Sequence, residues 1–388
     1  MRVLWVNEEP DMVGGAERYI RDTVSLLNAR GVCSSLMYDG LRPRVSKALF
    51  DVFQGVYPMV DIRRQVAEIA PDIIFVHRLP GKAAIRKFAN AGVPVARFFH
   101  DFHMLCLRKH KYSALRQQTC EKPIGLRCYP CIGFVNRANN FLGVRIDRVG
   151  TMRAEQRANY PLDAFVVGSE FMGEHLAQSG FDRARIHVLP LYSPPPDHLP
   201  DVRREKDLVL FAGQVIRGKG LDTLLRAMTM IKSSARLEIL GVGSQDAEFR
   251  GLAESLGVMN RVRFLGRLTH AELAEYYRRA LCVVVPSRQP EPFGLVGTEA
   301  MSYGAPVIGS RSGAIPEWLD DGMTGLLVKP NDPVDLARAI DEMLSDPERA
   351  RKMGDAGRAR YLDRFQPARH VEGLHAVLEK LARERNAA

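Results

Sequence analysis

Short apolar runs alternate along this chain with stretches whose apolar residues recur at helical spacing. Residues 2–6, 72–76, 93–99 and 164–167 are nearly continuous apolar segments bounded by polar or turn residues. That pattern predicts strands buried on both faces. Between them, residues 16–27, 81–91 and 170–180 carry the amphipathic period of helices. The alternation resumes with strands at 208–211, 236–240, 262–265, 281–285 and 306–308. Helices are predicted from about 221, at 333–345, at 348–362 and at 368–385. Strand–helix alternation of this kind implies α/β architecture, with parallel sheets covered by helices on both faces.

Proline density changes the picture near the middle. Pro190, Pro194, Pro195, Pro196 and Pro200 precede a charged run at 201–207, which marks a boundary. The expected division is a first domain over 1–195, with a cysteine-rich insert at 104–131. A linker follows at 196–207, then a second domain at 208–365 and a C-terminal helix at 366–388. A length of 388 residues supports two or three cores. Hydrophobic content of 46% and charged content of 26% are those of a soluble protein. No apolar run approaches the roughly 20 residues needed to span a bilayer. The first residues read as a strand rather than a signal peptide. The expectation is therefore a cytoplasmic protein whose six cysteines stay reduced.

Charge is uneven. Residues 1–200 hold 27 Lys and Arg against 19 Asp and Glu. A basic first half suits an anionic partner, be it phosphate, anionic lipid or nucleic acid, and solubility alone would also account for a modest excess. No nucleic-acid-binding signature is present. Residues 136–160 interleave Phe141, Leu142, Ile146, Val149 and Met152 with Arg137, Arg145, Arg148, Arg153 and Arg157. They read either as an amphipathic helix over the first core or as a surface meeting anionic lipid or an anionic acceptor.

Four cysteines fall within one polar loop. Cys106, Cys120, Cys128 and Cys131 are spaced C-x13-C-x7-C-x2-C. A C-x2-C pair with two further thiols can build a tetrahedral structural zinc site, with His103 and His110 as substitute ligands. Unassociated or redox-active thiols fit the same spacing.

Chemistry-bearing residues cluster at the ends of strands. Gly14 and Gly15 separate the first strand from its helix without forming a GxGxxG fingerprint. His100 and Asp101 follow the 93–99 strand. After residues 208–211 come Gly213, Arg217, Gly218 and Lys219, close to a P-loop. Gly220 replaces the Mg²⁺-binding Ser or Thr, however, which argues against an NTP-hydrolysing site. Arg217, Lys219 and a helix start still suit an anion. After residues 281–285, Glu291 lies in a loop and Glu299 on the following helix, about 7 Å along its axis from Gly294. Backbone N–H groups at the helix start would face a phosphate between the two acids.

The segment from Glu291 through Phe293 and Gly294 to Glu299 resembles the E-x7-E signature of retaining GT-B glycosyltransferases of family GT4 (glycosyl transferases group 1). The likeness continues through Gly313, Pro316, Glu317, Asp321, Gly322, residues 325–328 and Asp332. It covers nearly all of 205–345. Over 1–200 it rests on Gly14, Gly15, His100 and the strand–helix alternation. The resemblance implies two Rossmann-like domains facing each other across a cleft, with the final helix crossing back to the first. The acceptor would bind the first domain and the nucleotide sugar mainly the second. It implies a hexosyltransferase-type enzyme whose catalysis needs no metal or other cofactor. The donor would be a UDP-, GDP- or ADP-sugar, and the acceptor a carbohydrate or lipid-linked molecule in polysaccharide, lipopolysaccharide or glycolipid synthesis, at the cytosolic membrane face or in solution.

Carried onto this chain, Glu291 and His100 would act on the transferred sugar. Gly14, Gly15, Arg217, Lys219, Phe293, Gly294, Leu295, Val296 and Glu299 would hold the donor, Glu299 through the ribose. The turn at Gly266 would lie near the base. The family usually has arginine directly after the first glycine of the Gly213 loop, where this chain has Gln214. Two other readings stand beside this one: a different GT-B reaction, such as sugar-nucleotide epimerisation, and an inactive carbohydrate- or lipid-binding relative.

Overall fold

The computed structural model describes every residue except 9–10, 12–14, 40–46, 80, 114–116, 132, 138–142, 197–198, 200–201 and 387–388. The chain divides into two compact units. The first comprises Met1–His110, Glu121–Pro190 and Ala368–Ala388, and the second Lys111–Cys120 and Leu191–Pro367. Lys111–Cys120, expected in the first domain, therefore belongs with the second.

In the first unit, parallel strands β1 (Arg2–Asn7), β2 (Cys33–Tyr38), β3 (Gly55–Pro58), β4 (Ile73–Val76) and β5 (Val95–Phe99) form the sheet's first part. Two short antiparallel ribbons follow along the chain. One pairs β6 (Tyr112–Ser113) with β7 (Gln118–Thr119), and the other pairs β8 (Val135–Arg137) with β9 (Val144–Ile146). Strands β10 (Ala164–Val167) and β11 (Ile186–Val188) complete a seven-stranded sheet of order β11-β10-β5-β4-β1-β2-β3. The order reverses between β1 and β4. Alternation along each strand builds a core on each face. Leu4, Val6, Ile74 and Val76 enter one cluster, while Trp5 and Phe75 pack edge to face outside it.

The second unit repeats the plan. Its strands are β12 (Leu208–Ala212), β13 (Arg236–Leu240), β14 (Val262–Gly266), β15 (Cys282–Val285), β16 (Val307–Ser310) and β17 (Gly325–Val328). They lie parallel in the order β14-β13-β12-β15-β16-β17. This is the doubly wound order, with its reversal between β12 and β15. Val209, Phe211, Cys282, Val284 and Ile308 face one core. Leu208, Leu210, Val283, Val285 and Val307 face the other. Burial on both faces is why these strands read as unbroken apolar runs.

Three expectations are corrected. Residues 136–146 do not continue one helix with 149–160. The described part is the β8–β9 ribbon, and the helix is Val149–Asn159. Phe141 and Leu142 lie outside the described residues. The charged run before β12 is not a free linker. Arg204 donates to the carbonyls of Ala280 and Gly304, and Glu205 pairs with Arg236 and Arg279.

The cysteines do not converge either. Cys106 packs on the main core of the first unit. Cys128 packs on a separate small cluster of Leu107, Ile124 and Val149. Among the described residues no three His, Cys, Asp or Glu side chains are gathered to hold a metal. Of the four cysteines in the C-x13-C-x7-C-x2-C spacing, Cys106 and Cys128 thus lie against two different apolar clusters.

The reversal between β12 and β15 is where the two loops of the second unit meet. Arg288 and Gln289 backbone N–H groups donate to the Gly218 carbonyl at 3.0 and 3.1 Å. Gly220 sits at φ +73°, and a Cβ there would lie 1.9 Å from the Pro286 carbonyl oxygen. Gly220→Ala must therefore push the loops apart. Expected is a loss of more than about 1 kcal/mol, read as a lower urea midpoint for the second unit. An unchanged midpoint would show that the loops do not touch this closely.

Candidate functional site

Parallel strands deliver their loops at one edge, and where the order reverses, neighbouring loops diverge and leave a crevice. In the second unit that crevice is framed by the loop after β12 and the loop after β15. Lys219 comes from the first and Glu291 from the second. Lys219 Nζ donates to both carboxylate oxygens of Glu291, at 2.7 and 2.9 Å. Ser287, two residues beyond β15, donates its hydroxyl to Glu291 Oε1. Glu291 is 7% exposed, whereas the Lys219 side chain is 34% exposed, so the carboxylate is withdrawn from water while the ammonium still reaches it.

The backbone around Glu291 is held as firmly as its side chain. Glu291 bridges Gly313 in parallel fashion, and Ala314 N–H donates to the Glu291 carbonyl at 3.0 Å. Trp318, fully buried, donates its indole N–H to the Phe293 carbonyl at 2.7 Å. Gly294 then opens the helix Leu295–Ser302 from a left-handed conformation, φ 94°, with no side-chain cap. The first N–H groups of that helix, at Leu295 and Val296, are left for a ligand or water. A cation, a carboxylate and an uncapped helix start thus converge where a phosphate group would fit.

Glu299 lies on the same helix, beside a second pocket. Its Oε2 accepts from the Tyr277 hydroxyl at 3.1 Å. Tyr277 is 1% exposed, and burial, reinforced by Glu299, holds its pKa well above the usual value. It is therefore a fixed donor that orients the carboxylate. The pocket, about 300 Å³, is lined by Gly213, Gly241, Arg267, Leu268, Tyr277 and Glu299. Arg217 is placed elsewhere. Its guanidinium pairs with Glu248, its backbone N–H with Gln245, and its side chain is 64% exposed.

In the first unit, His77 follows β4 and His100 follows β5. His77 Nδ1 and His100 Nε2 are 2.7 Å apart. His77 is stacked between Trp5 and Phe98, with interplanar angles of 10° and 8°. Its Nε2 is buried without a partner. A lone pair is cheaper to strand than an N–H, so His77 Nδ1 is the donor and His100 Nε2 the acceptor. Burial, with the neighbouring His100, holds the His77 pKa well below its ordinary value, and burial lowers His100 to about 3.

Tyr19 and His370 sit beside this pair. The Tyr19 hydroxyl lies 2.6 Å from His370 Nε2, and His370 Nδ1 lies 2.9 Å from the Pro190 carbonyl. A carbonyl can only accept, so Nδ1 carries the proton and Nε2 accepts from Tyr19. Burial takes His370 to about 4. Gly15 starts the helix Gly15–Asn28, while Gly14 lies outside the described residues. A pocket of about 780 Å³ is lined by His77, Arg78, Arg97, His100 and Asp101 among others.

The geometry adds residues that sequence reasoning passed over. Ser287 and Tyr277 carry no motif. His77 had a usable signal, because it follows β4 as His100 follows β5. Arg97 is a charge inside an apolar strand, the kind of local misfit that marks a site.

A model of the family described as Glycosyl transferases group 1 matches residues 200–360, and one described as Glycosyltransferase Family 4 matches residues 13–191. A D-inositol 3-phosphate glycosyltransferase of Thermobifida fusca is 38% identical over 162 residues, covering 39% of this chain and 37% of that protein. The chain spans between 37% and 41% of the length of that protein, of a second D-inositol 3-phosphate glycosyltransferase from Corynebacterium kroppenstedtii and of a glycosyltransferase from Methanocaldococcus jannaschii. Sucrose-phosphate synthase from Thermosynechococcus elongatus is similar in structure, with TM-score 0.72, 22% identity and 98% of both chains covered. Anabaena HepE in complex with UDP gives TM-score 0.73 at 18% identity, covering 98% of this chain and 100% of that one. These structural likenesses establish the fold, two Rossmann-like domains of GT-B type.

The buried histidines set a pH response. Their folded pKa values lie below the ordinary 6.5, so the unfolded chain binds more protons between about pH 6.5 and the folded values. Stability is present above pH 6.5 and is lost as pH falls toward 4, by at most about 1.4 kcal/mol per pH unit for each histidine. His370→Gln should flatten the fall in Tm between pH 6.5 and 4.5. An unchanged slope would mean that His370 is not buried neutral.

Proposed function

This chain belongs to the glycosyl transferases group 1, and we propose that it moves a hexose from a nucleoside-diphosphate sugar to an acceptor hydroxyl. The observation that carries this reading is the Lys219–Glu291 pair beside the uncapped helix start at Gly294. It offers positive charge and unpaired N–H groups to a leaving diphosphate, with a carboxylate alongside for the sugar.

In the proposed reaction, the bond between the anomeric carbon and the phosphate oxygen breaks as the acceptor oxygen bonds to that carbon. Attack comes on the leaving-group face, so configuration is retained. The departing phosphate takes the acceptor proton. Lys219 and the N–H groups of Leu295 and Val296 stabilise the charge on the diphosphate, which is the function of an oxyanion hole. Glu291 orients the sugar and offsets positive charge at its anomeric carbon. Glu299, oriented by Tyr277, accepts from the ribose hydroxyls. The pocket lined by Gly213, Gly241 and Leu268 takes the base. His100, neutral throughout the working pH range, offers a hydrogen bond to the transferred sugar rather than a charge.

The complexes of HepE with UDP and with UDP-glucose make UDP-sugars the first donors to test, ahead of GDP- and ADP-sugars. A lipid-linked or envelope acceptor at the cytosolic membrane face fits the basic first half. It also fits the exposed apolar residues Leu126 and Ile146, which are 81% and 66% exposed. No helix among the described residues is long and apolar enough to cross a membrane, so such an enzyme would bind the surface peripherally.

Thermal-shift screening identifies the donor, since a ligand that binds only the folded state raises Tm. With that donor, Glu291→Ala should lower kcat more than it weakens donor binding. Glu299→Ala should chiefly raise the donor Kd. Lys219→Met should cost on the order of 10²–10³ in kcat. Equal effects of the two glutamate substitutions on kcat and Kd would contradict the division of labour. Donor hydrolysis or epimerisation that needs no acceptor would replace the transferase reading. Sedimentation with anionic vesicles, but not with neutral ones, is expected if the basic first half meets a membrane, and equal pelleting with both would remove that case.

A further inference from the structure

Arg97 occupies the middle of β5, a strand on which Val95, Ala96, Phe98 and Phe99 are all buried. Its side chain shares a face with Val95 and Phe99, where an apolar residue would pack without penalty. Arg97 is itself 7% exposed. A guanidinium has five N–H donors. Only Nη1 has an acceptor, Asn159 Oδ1 at 2.6 Å, and Nε is buried without a partner. Among the described residues no carboxylate comes within ion-pair distance of it. Asp101 is taken by Arg78, at 3.0 Å, and by the His103 backbone N–H. Glu155, on the helix Val149–Asn159, acts on Arg97 only at longer range. The Phe99 ring, 5.4 Å away, is its other neighbour. Burial lowers the Arg97 pKa to about 10, so it stays cationic at neutral pH.

A buried cation is ordinarily paired or hydrogen-bonded on every side. This one lines the 780 Å³ pocket of the first unit, together with Arg78, whose Nε is also buried without a partner. We propose that this pocket binds an oxyanion, phosphate or carboxylate, and that Arg97 recognises it through its fork of N–H donors. The anion would be a group carried by the acceptor. That assignment rests on the transferase reading, whereas the binding of the anion does not.

In the full chain carrying Lys219→Met, which removes the cation of the second unit's phosphate site, sodium phosphate should raise Tm above that in sodium chloride at equal ionic strength, by on the order of 2–4 °C at saturating concentration. Sodium acetate run in parallel distinguishes a carboxylate from a phosphate by which ion gives the larger shift. Arg97→Gln keeps a donor for Asn159 and removes the charge. It should abolish the shift while leaving Tm in chloride equal to or above that of the Lys219→Met parent. Arg97→Lys should keep part of the shift. A shift that survives Arg97→Gln in this background, or that never exceeds the chloride control, would overturn the proposal. So would a large fall in Tm for Arg97→Gln in chloride with the phosphate shift intact, which would make Arg97 a structural tie to Asn159. An Arg97-dependent shift without sugar transfer to any acceptor would keep the anion site and remove the transferase.

Discussion

Parallel strands cannot be joined by tight turns, and that constraint organises both units. Each connection must return over a face of the sheet, so helices cover both faces and the central strands are buried on two sides. All the loops that leave carboxyl ends gather at one edge. Where the strand order reverses, between β1 and β4 and between β12 and β15, adjacent loops part. The chemistry-bearing residues stand at or beside these reversals: His77 and His100 in the first unit, Lys219 and Glu291 in the second. The sheets are scaffolds that place loop residues to within hydrogen-bonding distance of one another.

Charge burial separates the residues that settle a loop from those that await a ligand. Arg288 is half-buried and paired with Asp222, and it also donates to Thr223. Lys219 and Glu291 are likewise paired, with Ser287 donating to Glu291 as well. Glu291 therefore keeps its geometry before any ligand arrives, and a ligand that draws on Lys219 finds the carboxylate already in place. Arg97 has no such compensation, so a strand position that could hold a valine instead holds a cation whose donors point to chemistry.

The histidines illustrate how the surroundings decide a residue's character. His77, His100 and His370 are packed among Trp5, Tyr19 and Phe98. Desolvation disfavours their charged forms, and a carbonyl or a neighbouring ring nitrogen sets each tautomer. A histidine held neutral offers one donor and one acceptor in fixed directions, which suits the recognition of hydroxyl groups better than the stabilisation of charge.

Much of this could be read from the chain itself. The apolar runs at β12, β15 and β16, the helix start after Gly294 and the Glu291–Glu299 spacing are local, because burial on both faces and turn chemistry leave their marks within a few residues. Lys219 was legible for the same reason. What the chain left open was non-local. Cys106 and Cys128 are distributed to two apolar clusters by packing that their spacing does not encode. Arg217 pairs with Glu248, a partner 31 residues away that no motif announces. The residues around 136–146 carry an amphipathic composition that fits a helix as well as the ribbon they form. The sequence by itself determined the alternation, the two parallel sheets and the acidic pair, since these follow from period and turn residues. Only the tertiary structure decided which charges are paired, which tautomers the histidines hold and that Arg97 is left unpaired. Those outcomes depend on burial and on partners that are distant along the chain.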